Sequence, residues 1–411
     1  MLLIGNHGNR RTEALQAARR KLGLAPAALA SYEELLSGKL SLTELAERGV
    51  SPSLLRLDSP GELFTVERGL IALGAPDAVA DPEADRLLWS GSTREGGSVA
   101  QPLSAAAAAQ LEEQRGQIVH PSQWFRGFAR LLARLEQEAA ALWPHADWVH
   151  PPAAVVAMFD KRRSHELLAA GGTLVPPRLA PPDALISYEG VRETMIHARM
   201  HRIFLKLACG SGASGVLAYQ VNPVSGAEIV MTTLAVENYV TRPPIYYNSS
   251  KLRRYTEPRL IRQLINWLLR HGAHAEQWIA KAAAGDGVYD IRQLVVEGRA
   301  CHSIARVSRT PITNLHLRNQ RMSLDELELA EAARLEVARC AERALSLYPG
   351  VRSAGIDVLV SRSEKVYVLE VNPFGDLLYR VFHQGADPYE WQLLCYRDQL
   401  AARGESGACP T

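Results

Sequence analysis

Along the first part of the chain, short apolar runs alternate with amphipathic stretches. Leu2–Ile4 reads as a strand, followed by a Gly/Asn loop and a helix through TEALQAARRKLG, where apolar residues recur at helical spacing. A second unit follows around SYEELL, and Leu54–Leu57 predicts a strand ending in Asp58. Strand, helix and strand in succession imply a small α/β domain with a parallel sheet. SAAAAAQLEEQRG and FRGFARLLARLEQEAAALW then read as helices, the second with an apolar face.

The pattern changes at the doubled prolines 151–152. DKRRSHELLAAGG predicts a helix closed by Gly171 and Gly172. RIFLKLACGSGASGVLAYQV is strand, Gly/Ser loop, strand; EPRLIRQLINWLLRHG is an amphipathic helix, and AHAEQWIA a strand. In DIRQLVVEGRACHSIARVS two apolar runs flank Glu297–Gly298, the mark of a β-hairpin and so of antiparallel pairing. A helix within 325–347 precedes a second hairpin, GIDVLVSRSEKVYVLEVNP.

Composition narrows the classes. A chain of 411 residues is too long for one ordinary core, and 47% hydrophobic with 22% charged residues suits a soluble globular protein. A net charge of +2 argues against a dedicated nucleic-acid surface. The five cysteines are widely spaced with no C-x-x-C pair, as expected for reduced thiols. The apolar start is too short for a signal peptide and no window approaches a membrane span, so a cytoplasmic protein without a membrane partner is expected. Only seven of the 46 basic residues are Lys, which makes a Lys inside an apolar strand conspicuous.

Three places carry candidate chemistry. In VYVLEVNPFGD, Glu370 and Asn372 share one strand face with Val371 on the other. A carboxylate in an apolar strand is costly unless paired or bound to a metal, and Mg2+ takes oxygen ligands, whereas an edge strand with a solvated face is the plain alternative. In FLKLACGSGASG, Lys206 leads into Gly210, Gly212 and Gly215, a loop suited to wrapping phosphate or simply to turning a hairpin. Asp357, on the strand before Glu370, brings a third oxygen ligand if the hairpin is antiparallel, or else pairs with a surface Arg. Arg292 and Arg306 lie on the two strands of the earlier hairpin. The histidines form no metal pattern and read as surface or hydrogen-bonded residues, and no nucleophile elbow is present.

Taken in order, FDK, the strand Lys with its Gly/Ser loop, EQWI, DIR, a strand Arg, Asn314, the Asp strand and EVN resemble the ATP-grasp superfamily, nearest the ribosomal-protein glutamate ligases and glutathione synthetases. The resemblance covers roughly Pro151–Asp376. It implies an α/β (α+β) fold of two lobes: an N-terminal α/β pre-grasp domain over 1–150, a small lobe over 151–280 with Gly-rich loop and hinge, and a large lobe over 281–411 with the metal site and a C-terminal extension. It implies that Lys161 and Lys206 contact ATP phosphates beneath the loop of Gly210, Ser211, Gly212 and Gly215. Glu276 and the backbone of Gln277, Trp278 and Ile279 would meet adenine, and Asp290 the ribose. Arg306 and Asn314 would reach the terminal phosphates, while Asp357, Glu370 and Asn372 would hold Mg2+, with Mn2+ as the alternative.

The activity so implied is ligation of a small-molecule or peptide carboxylate to an amine through an acyl phosphate. Lys206, Arg306 and Arg292 are the expected catalytic cations, and Arg292 is assigned to the carboxylate on its residue type rather than through the resemblance. A homodimer is the assembly the resemblance suggests. Two segments depart from the ligase pattern: PFGDLL follows EVN in place of small residues and Pro-Gly, and NLHLRNQ stands where a Gly-rich turn is usual. They motivate one alternative, a nucleotide-binding partner protein without turnover; a kinase of the same fold is a third option.

Overall fold

In the computed structural model, which describes residues 1–78, 101–210, 214–313, 319–375 and 377–402, there are three sheets, and strands of the second and third border a cleft that loop and helix residues of the N-terminal domain complete. The first arises from the N-terminal alternation: β1 (Leu2–Gly5), α1 (Arg10–Lys21), β2 (Ala28–Ser31), α2 (Tyr32–Ser37), α3 (Leu42–Glu47), β3 (Leu54–Leu57), α4 (Phe64–Leu73), α5 (Ala105–Ala109), α6 (Pro121–Leu142) and β4 (Asp147–Trp148). Its strands are parallel, in the order β2-β1-β3-β4. Phe125, Phe128, Leu132 and Leu135 on one face of α6 pack into a core with Leu55, Leu57 and Leu70.

Asp160 separates α7 (Pro152–Phe159) from α8 (Lys161–Ala170) and caps the second, accepting from the Arg162 N–H at 3.0 Å. Lys161 is therefore the first residue of a helix, and its own N–H donates to Ala208 O at 2.8 Å. Ala157, Met158 and Leu168 of this helix pair share the core of the third sheet.

The second sheet follows α9 (Tyr188–His197). Strands β5 (Arg202–Leu207), β6 (Val216–Val221), β7 (Glu228–Glu237) and β8 (Ile245–Tyr255) precede α10 (Pro258–Arg270) and β9 (Ala273–Gln277). They pair antiparallel in the order β8-β7-β6-β5-β9. Strand alternation divides β5: Ile203, Leu205 and Leu207 face Ile261, Leu264 and Leu268 of α10, while Phe204 and Lys206 face the cleft. The helix expected through SAAAAAQLEEQRG ends at Ala109. Beyond it the chain is drawn to the edge of β8, where Ile118 N–H donates to Tyr246 O and Asn248 N–H to Gly116 O, and this pairing overrides local helix propensity.

The third sheet comprises β10 (Ala283–Ala284), β11 (Gly287–Val296), β12 (Arg299–Ser308), β13 (Gln320–Met322) and, after α11 (Glu331–Ser346), β14 (Ser353–Val360) and β15 (Val366–Asn372). Its order is β13-β12-β11-β14-β15, with β10 on β11. The predicted hairpin turn has Glu297 at φ 48° and Gly298 at φ 73°, the left-handed pair that matches strand twist. Val337, Ala341 and Leu345 of α11 cover Ile291, Ile356, Val358 and Val368. A last helix, α12 (Pro388–Ala402), folds back on the first domain, where Tyr389 and Leu393 pack with Leu3 and Leu15 and Glu390 meets Lys21 at 2.5 Å. Among the described residues no helix is long and apolar enough to cross a membrane.

Candidate active site

A cleft of about 1230 Å3 is walled by strands of the second and third sheets and, on the N-terminal side, by the start of α1, the loop after β3 and residues of α4 and α6. Its acidic edge is the β14–β15 hairpin, in which Asp357 is opposite Glu370 and Gly355 opposite Asn372. The register slips between Asp357 and Val358, leaving Leu369 as an extra residue on β15. Strict alternation would put Glu370 and Asn372 on the side of buried Val366 and Val368. The bulge reverses the phase, so Val371 takes the core and Glu370 and Asn372 emerge in the cleft beside Asp357.

Cations meet these carboxylates directly. Lys161 Nζ is 2.7 Å from Glu370 Oε1 and donates to Gly210 O at 2.6 Å, tying the start of α8 to both β15 and the Gly-rich loop. Arg292 grips Asp357 with two bonds, Nε to Oδ1 at 2.5 Å and Nη2 to Oδ2 at 3.2 Å. Arg306 bridges Asp357 at 3.0 Å and Asp290 at 2.7 Å. The partners of Asp357 are thus buried arginines within the same sheet, since β11 lies between β12 and β14 and holds Arg292 opposite Asp357 and Asp290 opposite Arg306. Arg292, expected to grip a substrate carboxylate, is placed on this protein carboxylate instead.

A second layer lies deeper. Lys206 Nζ meets Glu276 Oε1 at 2.5 Å, and the other oxygen of Glu276 is 3.0 Å from His274 Nε2. Burial works against ionisation of Glu276, yet Lys206 and His274 outweigh it and hold the carboxyl down to about 2. Burial pushes His274 down to about 4, so the ring is neutral near pH 7. Asp290 is likewise held down to about 2 against its burial, by Arg306 and Lys281. Lys281 Nζ donates to Asp290 Oδ2 at 3.0 Å and to Thr313, which also binds Asp290.

Glu276, expected near adenine, has both oxygens occupied by Lys206 and His274, and Asp290, expected near ribose, is enclosed by Arg306, Lys281 and Thr313. On the hinge, Gln277 and Ile279 line the cleft, whereas Trp278 packs against Phe204 with ring centroids 5.4 Å apart and planes tilted by 48°. Gly210 and Gly215 line or border the loop, and Gly215 has φ 64°, a conformation that favours glycine. Ser211, Gly212, Asn314 and Asp376 lie outside the described residues, as does Cys409, and no disulfide joins the described cysteines to one another.

Sequence reasoning assigned no role to Lys281, Thr313 or His274. Their signals were present but faint: Lys281 is one of the few lysines, and His274 is two residues before Glu276 on one strand face. In the first departing segment, Phe374 is buried against Phe159 with ring centroids 5.7 Å apart, and its carbonyl accepts from Arg11 Nη1 at 3.0 Å. That segment therefore fastens the N-terminal domain to the acidic hairpin.

The donor set fits a hard cation. Asp357, Glu370 and Asn372 offer oxygen only, and the Asn372 amide is oriented by Nδ2 donating to Gly355 O at 3.2 Å, leaving Oδ1 as its free end.

No protein-family model matches the chain, and no curated protein matches it. Among solved structures it is similar to D-cycloserine synthetase DcsG, at 15% identity over 96% of this chain and 98% of that one, with a TM-score of 0.52. It is similar to a biotin carboxylase–β-γ-ATP complex from Campylobacter jejuni, at 12% identity over 100% of this chain and 72% of that one, with a TM-score of 0.50. An ATP-grasp ligase, PsnB, complexed with a phosphomimetic variant of its minimal precursor, Mg and ADP, is 14% identical over 98% of both chains with a TM-score of 0.49. The fold is the ATP-grasp fold.

Proposed function

We propose that the protein is an ATP- and Mg2+-dependent ligase that joins a carboxylate to an amine through an acyl phosphate, releasing ADP and phosphate. One observation carries this reading: Asp357 and Glu370 are paired in register, with Asn372 on the same face, in a cleft that also holds Lys161 and Lys206. Asp357, Glu370 and Asn372 would hold a divalent cation, which would offset charge that spreads in phosphoryl transfer. The chain's own part is positioning. Lys161 and Lys206 bind phosphates by exchanging Glu370 and Glu276 for them, and Arg306, anchored on Asp290, faces the terminal phosphate. Arg292 orients Asp357 through its two hydrogen bonds, and a cation held at Asp357 would leave this guanidinium available to a substrate carboxylate. The three domains of the expected layout, 1–150, 151–280 and 281–411, would close on the nucleotide between the second and third sheets. Purified protein given ATP, Mg2+ and a panel of amino acids and peptides should release phosphate in a substrate-dependent way, and Asp357→Asn should be silent. Silence of the parent across the panel counts against the reading.

A second reading is a nucleotide-binding protein without turnover. The observation in its favour is that every acidic candidate already has a cation partner: Asp357 with Arg292 and Arg306, Glu370 with Lys161. Calorimetry separates the two, because tight ATP binding indifferent to Mg2+ supports the second. A kinase would leave a phosphorylated product and no amide.

A further inference from the structure

We propose that Glu67, on the N-terminal wall of the cleft, takes the proton from the incoming amine. The inference rests on the ligase reading above. Glu67 is on α4 and lines the cleft together with Arg10, Arg11, Glu62 and Trp124. Asp290, Glu276, Asp357 and Glu370 each have a cation at hydrogen-bond distance, whereas no ion pair joins Glu67 to any described residue. The Trp124 indole N–H is buried without a hydrogen bond of normal geometry, and it lies near enough to the Glu67 carboxylate to favour its charge.

An aromatic row connects this wall to the acidic hairpin. Trp124 and Phe159 have ring centroids 6.3 Å apart, Phe159 and Phe374 5.7 Å, and Phe374 follows Asn372 by two residues. Arg11, at the start of α1, donates to the Phe374 carbonyl and holds the wall against that strand. Burial raises the Glu67 carboxyl to about 7 with Trp124 opposing, the poise a proton acceptor needs near neutral pH. On the elements packed against α4, the charged groups are Arg126, Arg130, Arg134, Glu136 and Glu138 of α6 and Glu33 and Glu34 of α2, while α5 is all alanine. Arg130 and Arg134, like Arg68 on α4 itself, donate to backbone carbonyls, and none of these charges adds to the shift at Glu67.

The step balances. An ammonium acceptor gives one proton to the Glu67 carboxylate, and the freed amine nitrogen attacks the acyl carbon. The C–N bond forms, the carbon–oxygen bond to phosphate breaks, and phosphate leaves with that electron pair and the second nitrogen proton.

The test uses the full chain with ATP, Mg2+ and amino acids as carboxylate donors, offered either ammonium-bearing amino acids or hydroxylamine, which is already neutral at pH 7. Glu67→Gln should lower the ratio of amine-supported to hydroxylamine-supported phosphate release by about tenfold or more and remove the rise in rate around neutral pH. Trp124→Phe, lacking the opposing N–H, should move that rise to higher pH. Equal losses with both nucleophiles and an unchanged pH profile overturn the inference while the ligase reading stands. A parent silent with every nucleophile overturns both. Infrared titration of the substrate-free protein adds a readout apart from turnover: a carboxyl band that titrates near neutrality and vanishes in Glu67→Gln is expected, and ionisation of Glu67 in the ordinary carboxylate range overturns the proposal.

Discussion

Of the buried arginine–aspartate pairs in this molecule, two have sharply different surroundings. Arg56 and Asp58, at the end of β3, are 2% and 1% exposed; Arg56 also donates to Gln392 Oε1 at 2.8 Å, and the second carboxylate oxygen of Asp58 accepts from Thr12 Oγ1 at 3.4 Å. Arg292 and Asp357 are each 10% exposed and open into the cleft. The same chemistry thus serves two ends. An enclosed pair is confined to one arrangement because water cannot replace either partner, whereas a pair bordering a cleft can exchange its partner for a ligand. The first pair locks α12 onto the N-terminal sheet; the second is poised for exchange.

The largest expected effect breaks the enclosed pair. Asp58→Asn leaves Arg56 charged and buried, and should cost about 3–5 kcal/mol in denaturant unfolding. A loss near zero would mean that the site relaxes to admit water. Asp357→Asn should cost about 1 kcal/mol of stability or less, since Arg306 retains Asp290 and the cleft supplies water, yet it should lower ATP turnover about a hundredfold or more. A variant as unstable as Asp58→Asn would erase the distinction.

The deeper layer gives a pH-dependent version of the comparison. Glu276 is held down to about 2 from an ordinary 4.5, so it contributes stability that is fully present above the ordinary value and is lost as pH falls toward 2. The gap corresponds to roughly 3 kcal/mol at most. Lys206→Met removes the attraction that holds the carboxyl down, and the acid limb of the stability curve should flatten; an unchanged limb would assign the acid sensitivity to other carboxylates. The smallest effect is expected at Arg309 and Asp286, 79% and 70% exposed. Arg309→Ala should move Tm by no more than about 2 °C, because solvent screens that pair.

Much of the architecture was legible from periodicity. The parallel start, the Glu297–Gly298 hairpin, the amphipathic helix after Glu257 and the antiparallel strands carrying Asp357 and Glu370 all follow from local patterns of burial and turn chemistry. The end of SAAAAAQLEEQRG was expected to be helical but is not, because the chain there is drawn to β8, more than a hundred residues away, where Gly116 O accepts from the Asn248 N–H.

The residue types were sufficient to nominate Lys206, Asp357, Glu370 and Asn372, since charged and amide groups embedded in apolar strands are costly and stand out against a period-two background, whereas Lys161, at the start of α8, was nominated by the resemblance alone. Partner choice was beyond reach of the one-dimensional pattern. That Arg292 meets Asp357, that Glu276 is enclosed by Lys206 and His274, and that Glu67 faces the cleft from another domain depend on strand register and on how three sheets come together. The bulge at Leu369 shows why: one extra residue reverses which side chains enter the core, and its position is set by the pairing of β14 with β15 rather than by either strand alone.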